Sequence, residues 1–110
     1  MVAATSRFAY LDCFDLLERA MDDEVGVRVK FNSAEEAINY RMRIHKARSI
    51  DREENKSIKK PEDPLYGRSE YDKLVCRIEH YSEGHSFLYV EKRTVNDLEI
   101  ENLSEIYDAP

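Results

Sequence analysis

Tryptophan is absent from this chain and glycine and cysteine are scarce, and the last two shortages each close off a class of chemistry. Three glycines in 110 residues leave little from which to build a phosphate loop, a dinucleotide fingerprint or a nucleophile elbow. All three motifs need closely spaced glycines so that backbone can approach the substrate, and none occurs. The two cysteines, Cys13 and Cys76, each stand inside an apolar pattern. They read as reduced, buried thiols rather than as a disulfide framework. No apolar run approaches the ~20 residues that a membrane span requires. Asp12, Asp15 and Glu18 interrupt the first apolar stretch, so no secretory signal is expected and the expected location is the cytoplasm. Cys76 and His80 would share a strand face with His85 in the next turn. The paired ligand spacings of a zinc site are missing and no fourth ligand stands out, so neither a metal nor a cofactor is expected.

What is present is enough for one small domain, residues 1–110. Apolar residues make up 42% and charged residues 36%, which supports one modest core. Seven tyrosines and four phenylalanines supply the aromatic surface. Tyrosine tolerates a half-wet setting because its ring is apolar and its hydroxyl is not.

Periodicity predicts an α+β order, α-β-α-β-β, with a hairpin packed against a long basic helix. Residues 6–21 place Tyr10, Phe14, Leu17 and Met21 on one helical face, with Ser6 as cap and the acids Asp22, Asp23 and Glu24 beyond the end. Residues 25–31 alternate strictly: Val25, Val27, Val29 and Phe31 against Gly26, Arg28 and Lys30. Ser33 and Glu36 have capping-box spacing, and a helix should run from about Ala34 to at least Arg48, with an end at Lys56 or beyond as the longer alternative. Pro61 and Pro64 end anything helical, and Pro61 to Arg68 reads as a loop turning at Gly67. Residues 73–81 and 86–95 read as a hairpin joined by Ser82–His85. Residues 97–107 fit either an edge strand or a short helix.

Charge is unevenly placed. Residues 41–60 hold eight Lys or Arg against three acids, while the rest of the chain holds nine against twenty, for a net charge of −6. Arg41, His45, Arg48 and Arg52 fall at i, i+4, i+7 and i+11, one stripe of the second helix. Ile38 and Met42 flank it on one side; Ala37, Tyr40, Ile44 and Ala47 flank it on the other. The stripe therefore runs at or inside the edge of the packed face, where a guanidinium must be paired. Two readings follow. The stripe binds an external anion, for which the planar fork of Arg is suited, or it pairs with the chain's own acids while its stems cover the core edge. Tyr66, Arg68 and Tyr71 form a second cluster near the loop. Two aromatics beside an arginine can make a hot spot or stack bases, or they can simply pin the loop.

The run Val27-Arg28-Val29-Lys30-Phe31-Asn32-Ser33, followed by Glu36-Ala37, Arg41, Arg43-Ile44 and Ala47-Arg48, resembles small uncharacterised proteins encoded by bacteriophages. Asp63-Pro64-Leu65-Tyr66-Gly67-Arg68-Ser69 adds to the likeness, which covers about half the chain. The resemblance implies a class of role: accessory proteins that bind host machinery, including inhibitors of defence systems. It assigns no functional residue.

The expectation is a non-enzymatic accessory or inhibitor protein that docks on another macromolecule, with a protein as the leading partner. Nucleic-acid or nucleotide binding through Arg41, His45, Arg48 and Arg52 is the alternative, although a net charge of −6 works against non-specific contact with a polyanion. Self-association through a strand edge is carried as a background expectation.

Overall fold

The computed structural model describes residues 7–93 and 103–104. Helix α1 (Leu11–Asp22) leads into strand β1 (Gly26–Phe31), which is followed by helix α2 (Ala34–Ile58). A single 3-10 turn (Glu70–Lys73) then feeds strand β2 (Leu74–His80), which pairs with β3 (Ser86–Lys92). The sheet order is β1-β3-β2 and both pairings are antiparallel. Strands β1 and β2 therefore run parallel on either side of β3. Such a pair needs a long crossover, and α2 supplies it. The chain is α+β, as its hydrophobic periodicity predicts.

Both helices lie on one face of the sheet. Cys13, Phe14, Leu17 and Ala20 of α1 and Ile44, Ala47 and Ile50 of α2 meet Leu88 and Val90 of β3, Leu74 of β2 and Tyr71 in one core cluster. Leu88 and Val90 are two residues apart, so they share a face; Phe87 and Tyr89 take the other. Among the described residues, no element packs on that other face.

Local chemistry explains most boundaries. Helix α1 starts later than residue 6, because Tyr10 donates its N–H back to the Arg7 carbonyl in a separate turn; Ser6 lies outside the described residues. The helix also includes Asp22, one acid further than the charge pattern predicts, while Asp23 folds back to accept the N–H groups of Val25 and Gly26 at 2.9 and 3.0 Å. Gly26 opens β1 with φ 147°, and a Cβ there would lie 2.2 Å from the Val90 carbonyl oxygen, so only glycine fits. Ser33 caps α2 by accepting the Glu36 N–H at 3.2 Å, and the Glu36 carboxylate accepts from Asn32 rather than from Ser33 itself. Helix α2 runs to Ile58, beyond the earliest expected stop at Arg48. At 1.5 Å per residue it is about 37 Å long, against about 23 Å for a seven-residue strand, so it overhangs the sheet. The hairpin turns at Gly84, φ 89°, with Tyr81 N–H donating to the His85 carbonyl. Of the stretch 97–107 only Leu103 and Ser104 are described, both helical and exposed, so the choice between strand and helix lies mostly outside the described residues.

Candidate functional site

The basic stripe of α2 lies along the edge of the packed face, and its burial falls off around the helix. Arg48, nearest the core, is 7% exposed; Arg41 and Arg52 are half-buried; His45 and, beyond it, Ile38 and Met42 are exposed. This flank faces β2. The Arg48 guanidinium donates to the Cys76 sulfur at 3.3 Å, and its Nε has no hydrogen-bond partner. Arg52 reaches the 3-10 turn and grips Asp72 with two nitrogens: Nε lies 3.1 Å and Nη2 2.5 Å from the same carboxylate oxygen. Asp72 also accepts the Ser69 N–H, closing a capping box. Burial works against the charged form of Asp72, but the Arg52 and Ser69 hydrogen bonds and the field of Arg48 hold its pKa below the usual carboxylate value.

One carboxylate thus serves a cluster of several cations. Among the described residues its only ion pair is with Arg52, and no Asp or Glu comes within ion-pair distance of Arg41 or Arg48. Partial burial and the neighbouring charges of Arg48, Arg41 and Arg52 push the His45 imidazole below its ordinary value. Burial pushes the Cys76 thiol up, with Arg48 and Arg41 pulling it back. The other arginines on and beside α1 and α2 each have a carboxylate. Arg43 binds Asp12 at 2.8 Å and the Ala9 carbonyl at 3.1 Å; Arg7 binds Asp51 and Glu54 at 3.3 and 2.8 Å; Arg19 pairs with Asp15 at 3.2 Å. Internal pairing, one of the two sequence readings of the stripe, is seen at Arg52, whereas Arg48 is buried beside a thiol.

The second predicted cluster separates. Tyr71 is 2% exposed in the core, tilted against Phe14 with its hydroxyl donating to Glu18, and no partner can reach it. Its position follows from the capping box at Ser69, which points the next ring inward. Tyr66 is half-buried and Arg68 is exposed, with the Arg68 carbonyl accepting from Asn55 at 2.6 Å. That bond ties the loop to α2.

A surface that residue patterns alone did not single out lies on the far side of the sheet. Register places Arg28 of β1 and Arg77 of β2 directly on either side of Tyr89. The Arg28 guanidinium stacks 4.0 Å over the Phe87 ring and bonds the Tyr89 hydroxyl at 3.3 Å; Arg77 stacks 3.9 Å over Tyr89. Glu79 and Glu91 both bind Arg77. Tyr81, His85 and Phe87 extend the aromatic row, with Tyr81 stacked on His85 at 5.0 Å. Alternation marks Phe87 and Tyr89 as outward-facing, but only pairing register brings them to Arg28 and Arg77. His80, by contrast, turns to the helix side and bonds Ser86 at 2.8 Å. No group of three or more His, Cys, Asp or Glu among the described residues is arranged to hold a metal. No described helix is long and apolar enough to cross a membrane.

No family model, curated protein or solved structure matches this chain.

Proposed function

We propose that the protein is a non-enzymatic docking module that engages another protein through the open outer face of its sheet and modulates it, in the manner of a phage accessory protein or inhibitor. The observation that carries this reading is the aromatic row Phe87–Tyr89–Tyr81 set between Arg28 and Arg77 with no described element over it. Tyr and Arg are the residue types that concentrate binding energy at protein interfaces, because they bury large areas while keeping polar contacts. Here the rings are held by each other and by the guanidiniums, so less side-chain freedom is lost on contact.

Charge narrows the partner. Glu79 and Glu91 neutralise Arg77, whereas Arg28 and Lys30 on β1 have no carboxylate within ion-pair distance among the described residues. The complementary surface is a protein patch with apolar side chains opposite Phe87 and Tyr89 and carboxylates opposite Arg28 and Lys30. The test is capture from nuclease-treated bacterial lysate by wild type beside a Phe87→Ser/Tyr89→Ser variant of unchanged circular dichroism. A discrete protein retained by wild type and lost by the variant supports the reading. A partner retained equally by both, or a sedimentation mass showing that the face only joins two copies of this chain, overturns it.

A further inference from the structure

Arg48 is the only Lys or Arg buried among the described residues, and its environment leaves it short of negative charge. An uncompensated buried cation is costly, so a folded chain keeps one only where something else offsets it. Asp72 is already taken by a two-pronged bond to Arg52. The contact to Cys76 is to a thiol whose pKa burial has raised, and a protonated sulfur is a weak acceptor. Arg41, two turns earlier on the same flank, has no carboxylate within ion-pair distance among the described residues either.

We propose that the flank of α2 over β2 is a binding site for one phosphate-monoester group, with Arg48 as inner anchor, Arg41 as outer clamp and His45 on the rim. Three guanidiniums against the single carboxylate of Asp72 leave a surplus of two positive charges, which matches a phosphate monoester at about −1.5 to −2 near neutral pH. Guanidinium forks suit tetrahedral oxyanions because two N–H groups meet two oxygens in one plane. Only two unpaired guanidiniums, two turns apart on α2, favour one phosphate over a nucleic-acid track: Arg52 is engaged, Arg48 is recessed, and the chain as a whole carries a net charge of −6. Exposed Ile38 and Met42 and half-buried Ile78 offer an apolar border beside the charges, which suits an organic phosphate as well as a free one. The site is on the helix side of the sheet, so it stands or falls separately from docking on the outer face.

Calorimetric titration of the full chain with inorganic phosphate and, in parallel, with adenosine monophosphate tests the proposal, at ionic strength held constant with chloride. Wild type should bind one equivalent saturably. Arg41→Gln and Arg48→Met should each weaken binding by about tenfold or more, the scale of one charge-assisted bond, and Arg19→Gln at an exposed position of α1 should bind as wild type does. Equal affinity for the two probes assigns the site to phosphate itself; tighter binding of the nucleotide assigns the Ile38–Met42 border to its base. Binding that chloride reproduces, that is undetectable for wild type, or that survives both arginine substitutions overturns the proposal. So does a single-stranded oligonucleotide without terminal phosphate that binds more tightly than the mononucleotide and with the same arginine dependence. Arg41 lies at the half-buried rim, so Arg41→Gln carries the test even if the Arg48 variant folds poorly.

Discussion

Replacing Arg48 by methionine should stabilise the protein in phosphate-free buffer, an unusual outcome for a buried residue. The side chain is 7% exposed and its Nε is without a partner, and an unsatisfied buried donor costs about 1–3 kcal/mol. Methionine keeps most of the stem that covers the core edge and removes the charge. Against this stands loss of the 3.3 Å contact to the Cys76 sulfur, a weak acceptor worth about 0.5 kcal/mol at most. The balance is a gain of about 1 kcal/mol, or about 4 °C in Tm for a domain of this size. Urea denaturation with an unchanged m value measures it. Phosphate should then reverse the ranking. At ten times its Kd a ligand adds about 1.4 kcal/mol to the wild type and nothing to a variant that cannot bind it. If Arg48→Met loses 3 kcal/mol or more, as when a buried ion pair is broken, Arg48 is internally compensated and the reasoning fails.

Three further perturbations test the fold around these surfaces. Gly26→Ala forces a Cβ to within 2.2 Å of the Val90 carbonyl oxygen and should destabilise by about 1–3 kcal/mol or more, read by thermal melting; near-neutrality would mean that β1 enters the sheet differently. Tyr71→Phe removes a buried hydroxyl bonded to Glu18 while keeping the ring against Phe14, and should cost about 1 kcal/mol in chemical denaturation. For pH, the Asp72 pKa is lowered in the folded state, so its contribution is fully present above the unfolded carboxylate value near about 3.9 and is lost as pH falls through the lower folded value. Melts from pH 6 to pH 2 should show the gap between wild type and Asp72→Asn closing over that acid range; a gap that widens towards low pH would reverse the sign of the linkage.

The secondary structure was legible because it rests on local causes. Alternation in residues 25–31, the Ser33 cap and the Pro61 stop each act within a few residues, and the strand Gly26–Phe31 and the helix Ala34–Ile58 form within those limits, with Val25 left outside the strand. The stripe was legible too, since 3.6-residue geometry places Arg41, His45, Arg48 and Arg52 on one flank whatever surrounds them. Which of these finds a counter-charge was not legible. Arg52 meets Asp72 and Arg48 meets Cys76 across 20 and 28 residues of chain, and no periodicity encodes those distances. Tyr71 shows the same limit: beside Arg68 it reads either as part of a hot spot or as a pin for the loop, and only packing shows its ring buried against Phe14.

By itself the sequence determined the order of elements, the faces of each helix and strand, and the concentration of positive charge on one helix, because each follows from backbone periods and side-chain chemistry along a continuous segment. Tertiary structure alone decided that both helices share one side of the sheet, that Tyr89 stands between Arg28 and Arg77, and that Arg48 is buried beside a thiol rather than a carboxylate. These are properties of register and of packing between distant segments. A shift of one residue in either strand would exchange the faces, so they exist only once the sheet has formed.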